Sequence, residues 1–275
     1  MTDQRTSAPA RSETPTTKDR VRQLVVTVSY LLCLYGSLLG SGVIGDDTVE
    51  ESSGGSLSDQ ATHIAPGGPA FSIWSVIYLG LAAYVIFQWL PRWAADPRQR
   101  AIGYLAAASM VLNAAWLFAA TGDQIWLSVL VIVVLLAVLC AIIVALHRTP
   151  SSGTAETLVV DGTFGLYLGW VTVATAANIA AALVETGFEG GPLSPDTWAV
   201  LVLVAVAVIG SLLALRLGGR VAPTLAIAWG LSWVAIARVT DEPESMPTAV
   251  AAIAAAAVVI AATLYARARR GSATG

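Results

Sequence analysis

The chain has 275 residues, 56% hydrophobic and 12% charged, with a formal net charge of −3 and a mean hydropathy of +0.72. This balance excludes an ordinary soluble domain, in which about a quarter of residues are charged; no nucleic-acid partner is expected, although the net charge itself says nothing on that point. The two cysteines, Cys33 and Cys140, cannot make a disulfide framework or a metal-ligand cluster and read as small buried residues.

Residues 1–23 are rich in Thr, Ser, Pro and charge and are expected to form a disordered cytoplasmic tail. Apolar runs then recur along the chain, each of the length that crosses ~30 Å of hydrocarbon as a helix. They fall at about 24–45, 70–90, 101–120, 125–146, 158–184, 197–217, 221–239 and 248–266. A cleaved signal peptide is the competing reading of 20–45, but the run is long enough to span and lacks a clear small-x-small site. The alternation of an outer-membrane barrel is absent, so the expected fold is all-α: a polytopic membrane bundle of about eight helices. The loop at 46–69 is the longest, acidic, Ser/Gly-rich and free of Lys and Arg, and it reads as an external lid or a flexible connector. The seventh span is short, with Pro223 near its start and Arg238 at its end, and 269–275 reads as a second cytoplasmic tail.

Charge sets the expected orientation, because Lys and Arg concentrate on cytoplasmic segments. Lys18, Arg20 and Arg22 precede the first span, Arg92, Arg98 and Arg100 follow the second, Arg148 follows the fourth, Arg216 and Arg220 follow the sixth, and Arg267, Arg269 and Arg270 close the chain. Asp59, Asp123, Glu189, Asp196, Asp241 and Glu242 lie in the alternate loops, and Arg238 alone breaks the pattern. Both termini are therefore expected inside, in a bacterial cell membrane.

An amide side chain within hydrocarbon is costly unless partnered, so Asn113 and Asn178 are the informative polar residues of the spans. Asn113 is three residues from Trp116; Tyr167, Trp170, Ala174 and Asn178 follow one helical stripe; Trp74 and Tyr78 are one turn apart. At a rise of about 1.5 Å per residue, Tyr78, Asn113 and Asn178 share a layer roughly 10 to 12 Å below the outer end. These residues are compatible with an aromatic cavity that opens outward and takes a flat ligand. They are also compatible with interhelical glue from the two amides. Trp89, Trp93, Trp126 and Trp198 read as interfacial belt residues, and Trp229 and Trp233 fit either the bundle or a lipid-facing surface.

Three segments, PAFSIWSVIY, LNAAW and YLGWVTVATAANIA, resemble the TspO/MBR family, the tryptophan-rich sensory or translocator proteins. The family pattern is W-x-x-x-Y in helix two, L-N-x-x-W in helix three and Y-x-x-W-x-x-x-A-x-x-x-N in helix five, with a long loop after helix one. The resemblance covers residues 24–186 and implies a five-helix core, with three additional helices over 187–268 that widen the bundle, replace a partner subunit or add a site. It implies a porphyrin- or sterol-like ligand, a tetrapyrrole first among them, bound beneath the first loop, and it implies homodimerisation. By resemblance, Trp74, Tyr78, Asn113, Trp116, Tyr167, Trp170, Ala174 and Asn178 line or support that site. Departures from the pattern are Gly68 where relatives carry Trp, Ser72 where they carry Pro and Ala177 where they carry Leu.

The expected function is a membrane-embedded binding and sensory protein, surrounded by lipid, with no catalytic residue, metal or cofactor apart from the tetrapyrrole ligand. Small-molecule transport is the alternative, although the acidic and basic residues Asp161 and Arg238 sit near helix ends rather than in mid-span. An integral membrane enzyme of isoprenoid or carotenoid metabolism is the third reading. It has only His63, in the external loop, and His147, at an inner helix end, to draw on for metal chemistry.

Overall fold

The structure is a computed structural model that describes residues 14–40, 49 and 55–273. Eight helices in it are long and apolar enough to cross a membrane. They are α1 (Thr17–Gly40), α2 (Ile73–Trp89, entered through a 3₁₀ turn at Gly68–Ser72), α3 (Pro97–Thr121) and α4 (Ile125–Arg148). They continue as α5 (Thr154–Glu185), α6 (Pro195–Arg216), α7 (Val221–Thr240) and α8 (Met246–Ala273). The chain is thus an all-α polytopic membrane bundle. The end carrying residues 55–67 is the loop end below, and the opposite end is the termini end.

Helix starts follow local chemistry. At α1, Thr16 and Asp19 bond reciprocally: the Asp19 carboxylate accepts from Thr16 N at 2.9 Å and Thr16 Oγ1 accepts from Asp19 N at 3.3 Å, a capping box. Helix α3 begins with Pro97 at its first position and Asp96 Oδ1 accepting from Arg98 N and Gln99 N at 2.8 and 3.2 Å. Helix α6 repeats the arrangement with Pro195 and a Ser194 cap.

Two expected boundaries are corrected. Residues 17–23, assigned above to the disordered tail, are the first turns of α1, because Asp19 pairs with Arg22 and Arg100. Helix α8 runs to Ala273, through residues assigned to the second tail. Apolar length marks where hydrocarbon ends, and a helix continues past that point wherever its polar residues find partners. Residues 1–13 of the first tail and most of 41–54 lie outside the described residues.

The first five helices close a ring in the order α2, α1, α3, α4, α5, with α5 returning to α2. Its core is aromatic as well as aliphatic and includes Tyr84, Phe87, Trp116, Phe164, Tyr167 and Trp170. Helices α6, α7 and α8 form a second cluster of small aliphatic residues, among them Ala199, Leu203, Val206, Leu231, Ala252 and Val259. The two join mainly through α5 against α7. There the backbones nearly touch: a Cβ on Gly169 would lie 2.2 Å from Pro223 O and 2.8 Å from Ala226 Cβ, so only glycine fits. Near the termini end, residues Thr157–Gly162 of α5 form a π-helical turn.

That turn carries Asp161 into a largely buried charge cluster. Arg98 Nη2 bonds both Asp161 oxygens at 2.7 and 2.8 Å, Arg220 from the start of α7 bonds the same carboxylate, and Arg98 also reaches Glu156 at 3.3 Å. The first ring and the last three helices are therefore tied by charge at the termini end, and Asp161 serves as an anchor whose charge is already paired.

Candidate functional site

A recess at the loop end is walled by α3, α4 and α5, by the start of α2 and by the loop itself. Its lining includes Trp74, Asn113, Trp116, Trp170, Ala174, Ala177 and Asn178 from the helices, Phe71 from the 3₁₀ turn, and Leu57, Thr62, Ala65 and Pro66 from the loop. With its mouth the recess encloses ≈ 670 Å³ of non-atom space, of which ≈ 50 Å³ has room for the centre of a water molecule. A few waters fit there, and a drug-sized ligand, which occupies a pocket of roughly 300 Å³ or more, would have to part the walls.

The wall is an aromatic box. Trp74 stacks on Tyr78 at 5.4 Å between centroids and meets Trp170 edge-on at 6.2 Å, and Phe71 meets Trp170 edge-on at 5.7 Å. These are the offset and edge-to-face arrangements that ring quadrupoles favour. Seven of the eight residues singled out from sequence line the recess or bond directly to a residue that does. Tyr78 acts from behind by donating to Asn113. Tyr167 is the exception: it is fully buried outside the lining, packs edge-on to Trp74 at 5.8 Å and donates to Ser109 O at 3.2 Å. Its part is to hold Trp74 in place.

The two amides differ in a decisive way. Both polar atoms of Asn178 are partnered: its Oδ1 accepts from Trp116 Nε1 at 2.8 Å and its Nδ2 donates to Ser128 Oγ at 3.0 Å. It is the glue of α3, α4 and α5. Asn113 Oδ1 accepts from Tyr78 Oη at 3.0 Å and from Cys33 Sγ at 3.3 Å, which turns its amide nitrogen away from both donors. That Nδ2, on a fully buried side chain lining the recess, has no partner among the described residues, and neither does the indole N–H of Trp170, 1% exposed on the same wall. A buried donor without an acceptor costs about 1–3 kcal/mol, so two beside one recess are expensive unless something accepts from them.

Several participants carried no readable signal in the sequence. Cys33 reads as a small core residue, Phe71 as one apolar residue in an apolar run, and Ser128 as a serine bonding its own helix, which it also does through Ile125 O at 2.7 Å. Of Trp229 and Trp233, left open above, Trp233 packs partly buried against the core of the ring, whereas Trp229 is 39% exposed while its Nε1 donates to Ala70 O at 2.9 Å. Trp93 is not a free belt residue, being 7% exposed and stacked on Phe87 at 4.5 Å.

The loop wall is held from the last three helices. Arg238 of α7, 1% exposed, donates to the carbonyls of Asp59 at 3.0 Å, Thr62 at 3.3 Å and Pro243 at 2.9 Å. His63 Nε2 lies 3.3 Å from Asp196 Oδ1 at the start of α6. Burial holds the His63 imidazole below its ordinary pKa; the Asp196 carboxylate pulls it the other way, and Arg238 adds to the lowering. Ile64 is buried in the aliphatic cluster of α6–α8.

Searches of curated proteins and of solved structures return no match to this chain. A family model described as TSPO-like protein matches residues 23–265, from α1 into α8 and so across all eight helices. The chain is therefore an integral membrane protein of the TSPO-like family.

Proposed function

We propose that the protein binds a planar hydrophobic ligand, a tetrapyrrole or a sterol-like lipid, in the aromatic recess at its loop end. The observation that carries this reading is the pair of unpartnered donors, Asn113 Nδ2 and Trp170 Nε1, on a wall otherwise built of aromatic rings and aliphatic side chains. Such a wall rewards a flat apolar body, and the donors reward an acceptor at its edge, a carboxylate or carbonyl above all. Between the two classes, the donor pair favours the tetrapyrrole, whose side-chain carboxylates are strong acceptors. Family membership adds weight, because the matched spans include every residue of the recess. The loop end faces outward in this reading, since the basic residues gather at the termini end, and both termini lie in the cytoplasm of a bacterial cell.

The test is a titration of the purified full-length protein with protoporphyrin, followed by tryptophan quenching. Replacing Trp74→Ala and Asn113→Leu together is expected to weaken binding about tenfold or more, the sum of one stacking and one hydrogen-bond contribution. Equal affinity in wild type and double variant would overturn the assignment.

A further inference from the structure

Arg238 is the one basic residue at the loop end that charge patterning leaves unexplained, and its surroundings supply a reason. Among the described residues no carboxylate lies within ion-pair distance of it; Asp59, Asp241 and Glu242 act on its charge from further away. Its guanidinium instead grips neutral carbonyls, two of them in the loop at Asp59 and Thr62. A guanidinium held by carbonyls is a different device from one held by a carboxylate. Water can replace a carbonyl at modest cost, whereas separating buried opposite charges strands both. The Asp161 cluster at the termini end is of the second kind, and Arg238 is of the first.

The segment that Arg238 grips is also the wall of the recess, through Leu57, Thr62, Ala65 and Pro66. Three further anchors lead to the same helices, His63 to Asp196, Ile64 into the aliphatic cluster and Gly67 N to Trp233 O, while Leu57 packs on the ring at Ile125, Ala181 and Ala182. The recess as it stands has room for little more than water, so a large ligand enters only if a wall moves, and the loop is the wall that is not part of a spanning helix.

We propose that α6–α8 act as an intramolecular latch on the recess, with Arg238 the positioning residue that holds residues 59–62 by their carbonyls, and that loosening this grip is the step that admits a ligand. The proposal rests on the ligand-binding reading of the recess, but its primary test uses no ligand.

Hydrogen exchange is read by mass spectrometry on the full chain in lipid nanodiscs, for wild type, Arg238→Met and Asp196→Ala. In Arg238→Met the amides of 55–67 are expected to exchange about tenfold or more faster, the loss of hydrogen bonds to a charged donor, while those of α3–α5, α6 and α8 keep wild-type rates. Asp196→Ala, at a site 42% exposed, is expected to shift the same amides by a smaller factor, and it carries the test alone if Arg238→Met does not assemble. Unchanged loop exchange in the assembled variants would overturn the latch, and so would equal loosening across all of α6–α8, which would make Arg238 a general packing residue. In a second arm, the rate of protoporphyrin association followed by tryptophan quenching should rise with loop exchange. An association rate that stays fixed while the loop loosens would overturn the role in access. Absence of any protoporphyrin binding to wild type would count against the proposed ligand, while the exchange data would still decide the latch.

Discussion

The five-helix ring and the three-helix unit sit in the same bundle and are packed on different principles. The ring buries large rings and amides, Trp116, Tyr167, Trp170, Asn113 and Asn178 among them, and such shapes neither tile space completely nor satisfy every polar atom. The second unit is packed with alanine, valine, isoleucine and leucine, and its helices approach closely, as where a Cβ on Gly210 would fall 2.8 Å from Val259. In lipid, close approach of small residues is itself the source of helix association, so that unit gains rigidity where the ring retains a recess. The difference amounts to a division of labour: one region keeps a recess lined by aromatic rings, and the other packs closely beside it.

The strongest way to break this comparison is at the charge anchor joining the two regions. Asp161→Asn takes the counter-charge from Arg220 and leaves Arg98 with Glu156 alone, and it is expected to cost about 3 kcal/mol, read as a lowered thermal midpoint of helix content in detergent. Arg98→Lys, which keeps the charge but loses the bidentate grip on Asp161, should cost less. A smaller effect sharpens the contrast within the ring. Asn178→Leu strands the Trp116 indole N–H, while the Ser128 hydroxyl keeps Ile125 O, and is expected to cost about 2 kcal/mol of stability. Asn113→Leu removes an unpaired donor along with its bonds, so it should weaken protoporphyrin binding more than it lowers stability. Equal stability losses for the two variants would erase the distinction drawn between them.

The smallest effect concerns the hold of α6–α8 on the loop. The His63 pKa is depressed in the closed structure, so the open loop binds a proton more readily. Closure is therefore favoured at pH values above the ordinary histidine pKa of about 6.5 and weakens as pH falls through that value, levelling off below the depressed one. Exchange of amides 59–67, corrected for its intrinsic pH dependence, should accelerate by less than about tenfold between pH 7.5 and 5. His63→Gln should flatten that change.

Much of this was legible in the residues. Eight spans follow from apolar length alone, and the stripe of Tyr167, Trp170, Ala174 and Asn178 follows from helical spacing, because both are one-dimensional signals that the membrane enforces. Position along a helix, however, does not say which neighbour a side chain meets. Asn113 and Asn178 look alike in sequence, yet among the described residues Asn178 has a partner at both its oxygen and its nitrogen, Trp116 and Ser128, and Asn113 only at its oxygen. Tyr167 has the right spacing and sits one layer behind the wall. Arg238 looked like an exception to charge patterning because its partners are backbone carbonyls, which every residue carries and no sequence marks.

The π-helical turn at Thr157–Gly162 has a consequence for reading relatives of this chain. An α-helix rotates by about 100° per residue, and a π turn takes roughly one residue more to come round. The part of α5 that holds Asp161 against Arg98 and the part that turns Trp170 toward the recess are therefore out of phase by about one residue. Deleting a residue from that turn would leave composition and apolar length intact while swinging the aromatic face roughly a quarter-turn or more from its charge anchor. The distance between anchor and aromatic face is thus counted in turns of helix, and alignments of such chains should allow their gap within that turn.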